Sequence, residues 1–174
     1  MSTSTLHRSV LVIACTVILG ALNFMVFAKE RIISEGASVY LALAPVDPRA
    51  ILQGDFMTLR FDLAAQLERN QSLASGDPQM PAANGAIANG EFRTADITLD
   101  ARSVATLATP GSSQELRIRY RNRGGTVWLG TNAFFFQEGD AARFEQARFG
   151  HFKLSKGSGE AILVGLMDEN LRAL

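Results

Sequence analysis

The chain has 174 residues, 17 Lys+Arg against 17 Asp+Glu, 47% hydrophobic residues and a single Cys. That length allows one domain of ordinary size, and balanced charge with high apolar content excludes both a long disordered tail and a net-basic nucleic-acid binder. One Cys cannot build a disulfide framework within the chain.

A short polar tail, residues 1–9, precedes an apolar run from Val10 to Ala28 that carries no charge and one strongly polar residue, Asn23. As a helix at 1.5 Å per residue, this run is long enough to cross a hydrocarbon core of about 30 Å. Three readings compete. An uncleaved anchor fits the length. A cleaved signal peptide fits His7 and Arg8 before the run and Val26-Phe27-Ala28 at its end, but such peptides have a shorter apolar region. Lipidation at Val12-Ile13-Ala14-Cys15 fails on context, because thirteen of the nineteen residues of the run lie after it. The anchor is the expectation, with residues 29–36 as a linker and residues 37–174 as a separate domain.

The flanking charges divide between Arg8 on one side and Lys29 and Arg31 on the other, so they do not orient the span. Cys15 lies inside the apolar run and the rest of the chain has no thiol, which suits an oxidising compartment. Beyond residue 31 there are 14 basic and 16 acidic residues, a net of −2.

Ala37 to Ala44 is short, apolar and bounded by Pro45, the pattern of a strand. Asp47-Pro48 is a turn signal. In Gly54 to Leu63, residues Met57, Leu59, Phe61 and Leu63 alternate with Thr58, Arg60 and Asp62, which predicts a half-buried strand. Residues 70–91 are rich in Asn, Gln, Ser, Gly, Pro and Ala and predict a long exposed loop. Further strands are expected at 93–101 and 115–123, with a Gly124-Gly125 hairpin turn into Thr126 to Leu129. Phe134-Phe135-Phe136 predicts a buried strand or strand end, and residues 138–149 one short helix with Phe144 and Ala147 or Arg148 at helical spacing. The chain closes on a hairpin, 151–156 and 161–167, about a Gly157-Ser158-Gly159 turn. Together these elements predict a mainly β domain, an antiparallel sandwich or small barrel with one short helix, preceded by a transmembrane helix.

On the strand at 115–123, Leu116, Ile118 and Tyr120 share one face and Arg117, Arg119, Arg121 and Arg123 the other. The row is a candidate binding surface for phosphate, anionic lipid headgroups or an acidic partner. The plainer reading is a solvated face, balanced by Asp96, Thr98 and Asp100 at the same period on another strand. Catalytic signals are sparse. His151 is the only His outside the tail, so no His cluster, metal site or cofactor is expected. A Ser–His or Ser–Lys pair would have to draw on His151, Lys153, Lys156, Ser155 and Ser158, all in the last hairpin.

Gly54-Asp55-Phe56-Met57-Thr58-Leu59-Arg60-Phe61, preceded by Val46-Asp47-Pro48-Arg49, resembles the motif of the bacterial GDYXXLXY proteins. Thr131 to Gly139, Arg143-Phe144-Glu145, Arg148-Phe149-Gly150 and Ala161 to Leu166 are similar to their C-terminal part. Phe56 and Phe61 stand where the family pattern has Tyr, which keeps the ring and removes the hydroxyl. On the residues themselves Asp47, Pro48, Arg49, Gly54, Asp55, Phe56, Leu59 and Phe61 read as structural: a pinned turn, then packing, with Phe56 on the face opposite Phe61. The resemblance implies a single-pass protein of the bacterial cytoplasmic membrane, its domain outside the cytoplasm, often encoded beside polytopic membrane proteins. It implies no established activity. The expected function is a membrane-anchored binding or accessory module supporting an integral membrane partner, with no nucleic acid. An envelope hydrolase and a lipid- or small-ligand-binding β domain are the alternatives.

Overall fold

A computed structural model describes residues 3–44, 56–74, 90–108, 116–137 and 139–174. The chain divides into two units, Met1–Glu35 and Gly36–Leu174.

The first unit is helix α1, Thr3–Glu35. Its apolar stretch contains neither Pro nor charge, and its side chains are apolar all round rather than along one stripe, the pattern of a membrane span or of a core helix. The two polar groups within it are satisfied locally. The Thr16 hydroxyl donates to the Val12 carbonyl and Asn23 Nδ2 donates to the Leu19 carbonyl, each at 2.9 Å, so neither presents a free donor outward. Val10–Glu35 is long and apolar enough to cross a membrane, and none of its apolar window is buried. The helix continues through residues 29–35, the stretch expected as a linker, and ends with an Arg31–Glu35 ion pair at 2.9 Å.

The second unit is mainly β. In chain order it comprises β1 Ala37–Ala42, β2 Phe56–Thr58, α2 Asp62–Ala74, β3 Phe92–Leu99, β4 Ala105–Leu107, β5 Leu116–Arg123, β6 Thr126–Trp128, β7 Ala133–Phe135, α3 Ala141–Phe144, β8 Phe149–Leu154 and β9 Ala161–Met167. Antiparallel pairing gives the orders β1-β8-β9, β2-β7 and β4-β3-β5-β6. Two seams join the larger sheets. Tyr40 on β1 forms a parallel bridge with Val104 beside β4, its N–H donating to the Ser103 carbonyl at 2.9 Å. On the other side the Arg119 N–H donates to the Gly159 carbonyl at 2.6 Å, bringing the β8–β9 turn onto the edge of β5 that β6 leaves open. The sheets thus curl into a partial barrel around Leu41, Phe61, Ile97, Ile118, Phe152 and Leu166. The Gly124-Gly125 turn predicted between β5 and β6 is present, with φ of +57° and +84°, values that residues with a Cβ adopt only under strain.

Three expectations need correction. The strand expected through Leu63 is regular only at Phe56–Thr58. The chain stays extended to Phe61, held by the Leu59 N–H on the Asn132 carbonyl and a bridge from Phe61 to Leu43, and then turns into α2. Met57, Leu59 and Phe61 are buried as their alternation requires, but Leu63 is buried from a helix, with Ala64 and Leu67 at helical spacing. Residues 70–74 of the expected loop are the last turn of that helix, so among the described residues the domain has two helices rather than one. Finally, Phe135 is 74% exposed, while Phe134 and Phe136 pack their rings on Phe144 at 5.1 and 5.4 Å. Alternation along β7 sends Phe135 to the face opposite Phe134, and that face is left uncovered here.

Candidate functional site

Of the motif residues, Asp47, Pro48, Arg49, Gly54 and Asp55 lie outside the described residues. The remaining three divide between two environments. Leu59 and Phe61 are core residues, 1% and 2% exposed. The Phe61 ring meets Phe152 edge-on at 5.2 Å and 74°, and Gly150 makes room for the pair. A Cβ on Gly150 would lie 2.9 Å from the Phe61 ring and 3.0 Å from that of Phe152. Phe56 begins β2 on the opposite face and is 38% exposed. Its strand partner is Phe135, with ring centroids 5.7 Å apart, so the β2–β7 ribbon carries two adjacent exposed rings.

The arginine row lies on the sheet face opposite Ile118 and Tyr120, with Arg117 and Arg123 exposed and Arg119 and Arg121 half-buried. The expected acidic stripe faces it only at Asp96. The β3–β5 register sets Arg117 against Asp96, Arg119 against Thr94 and Arg121 against Phe92, so Thr98 and Asp100 fall beyond the start of β5. Asp100 serves its own turn, its Oδ1 accepting the N–H groups of Arg102 and Val104 at 2.8 Å each. Three of the four guanidinium groups instead lie over aromatic rings. Arg119 and Arg121 stand 4.7 and 5.6 Å from the centroid of Phe92, and Arg123 stands 5.2 Å from that of Trp128. Trp128 is also the β6 partner of Arg121, which sits between the two aromatic residues. Arg119 approaches Glu160 at 3.4 Å. Sequence spacing placed the four arginines on one face, but the Phe92 and Trp128 platforms depend on register, which spacing within β5 does not contain.

In the last hairpin, His151 faces Tyr40 across β1 and β8, with ring centroids 4.9 Å apart. Its Nε2 is buried and has no hydrogen-bond partner among the described residues. Burial first, and the charge of Lys153 second, lower its pKa below the usual 6.5. The serines that would complete a catalytic pair serve the turn: Ser155 Oγ accepts the Ser158 N–H and Ser158 Oγ accepts the Glu160 N–H, both at 3.3 Å. The Lys153 ammonium donates to the Gly36 carbonyl at 3.5 Å, and Lys156 is exposed. No Ser hydroxyl is thus brought onto His151 or Lys153 among the described residues. Nor do three His, Cys, Asp or Glu side chains converge there in a way that would hold a metal ion.

No curated protein and no solved structure matches the chain. A family model described as GDYXXLXY protein matches residues 18–166, from within the apolar helix through β1 and into β9. The chain belongs to the GDYXXLXY protein family.

Proposed function

We propose that this protein is a membrane-anchored accessory module: α1 holds it in the cytoplasmic membrane, the β domain lies outside the cytoplasm, and that domain binds an integral membrane partner. The observation that carries this reading is α1 itself, a 33-residue helix whose apolar window has no buried share. Such a helix needs hydrocarbon around it. The thiol-free domain supports the extracytoplasmic side, since Cys15 lies within α1. The exposed Phe56–Phe135 pair supports binding, because aromatic residues are enriched at protein interfaces and large apolar side chains left exposed mark contact sites. The test is affinity purification of the C-terminally tagged full chain from detergent-solubilised membranes at native expression. A co-purifying integral membrane protein, lost in the Phe135→Ser variant, is the expected result. Recovery of the chain alone contradicts the proposal.

A further inference from the structure

The arginine row calls for a ligand on grounds independent of any protein partner. Alternate residues of a strand stand roughly 6.6–6.8 Å apart, so Arg117 to Arg123 place four guanidinium groups along about 20 Å of one sheet face. The residues after 31 carry a net of −2, so long-range attraction to anions is not a property of the domain as a whole and belongs to this face. Two carboxylates oppose the row, Asp96 by register with Arg117 and Glu160 beside Arg119. Glu91 is taken by Arg93 at 3.7 Å. Arg121 and Arg123 have no ion pair among the described residues and lie over rings, which orients each guanidinium while leaving its N–H edge available. Phe92, 57% exposed, and the half-buried Trp128 belong to the same face.

A flat face that combines arginines with amphipathic rings has the chemistry of a membrane–water interface, where anionic headgroups attract Arg and aromatic rings rest at headgroup depth. Connectivity favours a lipid surface over an acidic protein. Only Gly36 separates the last residue of α1 from the first of β1, so a chain anchored through its apolar run holds the domain within a short tether of the bilayer. A headgroup layer is then present at high effective concentration. We infer that the face formed by Arg117, Arg121, Arg123, Phe92 and Trp128 docks the domain onto anionic lipid headgroups of the membrane in which its own helix is anchored.

Trp128 is the only tryptophan in the chain, so its fluorescence reports on this face alone. The full chain is reconstituted in nanodiscs of phosphatidylcholine with or without phosphatidylglycerol, each with a trace of headgroup spin-labelled phosphatidylcholine as quencher. Quenching of Trp128 that requires phosphatidylglycerol, and that is lost at about 0.5 M salt where screening is short-ranged, supports the proposal. In Arg121→Gln and Arg123→Gln the docking equilibrium falls about fivefold for each arginine removed. Equal quenching in both lipids overturns the proposal, because proximity through the tether would then suffice. An unquenched Trp128 in anionic discs also overturns it and assigns the row to an acidic protein. Should either variant fail to fold, the lipid and salt dependence of the unaltered chain decides. No partner protein is present in the discs, so this result is separate from that of the co-purification experiment.

Discussion

The two aromatic positions of the motif stand in different surroundings, and truncating one ring from each environment should separate folding from surface function. Phe61 is 2% exposed and packs edge-on against Phe152, so Phe61→Ala uncovers nearly a whole side chain's worth of buried area. At about 200 Å² and ~25 cal/mol per Å² that loss approaches 5 kcal/mol, consistent with the ~3–5 kcal/mol typical of Phe→Ala in cores. Phe135, the exposed partner of Phe56, is 74% exposed. Roughly a quarter of its area, about 50 Å², is covered, so Phe135→Ala costs at most about 1 kcal/mol. Against a total stability on the order of 5–15 kcal/mol, the first variant is severely weakened and the second nearly unchanged. The assay is urea unfolding of the full chain in non-denaturing detergent, followed by the fluorescence of Trp128, whose neighbours Val127 and Leu129 are buried. At 2–4 °C per kcal/mol, a thermal melt should fall by roughly 10 °C or more in Phe61→Ala and by a few degrees in Phe135→Ala. Equal losses in the two variants would refute the division of the motif into a core ring and a surface ribbon.

Other outcomes follow from single contacts. Gly150→Ala forces a Cβ against Phe61 and Phe152 and should destabilise the domain by about 1–3 kcal/mol, with much of that cost relieved when Phe61 is also changed to Leu. Calorimetry of the single and double variants checks this, and simple additivity would count against the contact. Glu68 on α2 accepts the Val127 N–H at 2.7 Å, so Glu68→Ala should cost about 1–2 kcal/mol by leaving that donor unpaired, while Glu68→Gln keeps an acceptor and most of the stability. Because the folded His151 has a lowered pKa, the unfolded chain holds that proton up to higher pH. This contribution to stability is complete above about pH 6.5 and is lost as pH falls through the folded-state value. His151→Phe removes the titrating imidazole and keeps a ring beside Tyr40, so it should flatten the fall in melting temperature between about pH 7.5 and 5. An unchanged slope would assign the pH dependence to other groups.

Much of this fold was legible because its cues are local. The hairpin about Gly124-Gly125 needs two positive φ angles, and the alternation of Leu116, Ile118 and Tyr120 with four arginines fixes which side of β5 is buried. Helix α2 was missed because Leu63 satisfies two periods at once. It continues the strand alternation of Met57, Leu59 and Phe61, and it also begins the helical spacing of Leu63, Ala64 and Leu67. The helix-forming composition of residues 63–69, and Gln66 one turn after Asp62, which bond at 2.7 Å, were the signals available for it. Strand β4, three residues long, is too short to show any period. What the arginines face was not legible, since cross-strand partners follow from register, and register here depends on turns and pairings distant in sequence. The motif's first aromatic position is a similar case: alternation sends Phe56 away from the core, but only the pairing of β2 with β7 sets Phe135 beside it.

The proposed place of the domain, outside the cytoplasm and carried there by its own helix, can be measured directly through the lone native thiol. Cys15 lies within the apolar run of α1, so one new Cys in the exposed β8–β9 turn, Lys156→Cys, becomes the site that a water-soluble reagent reaches. Intact spheroplasts are treated with a membrane-impermeant maleimide before and after lysis, and the purified full chain is assayed for label. Full labelling of Lys156→Cys without lysis, and none of the parent chain, is the predicted result. Labelling that appears only after lysis would place the domain in the cytoplasm and contradict the account.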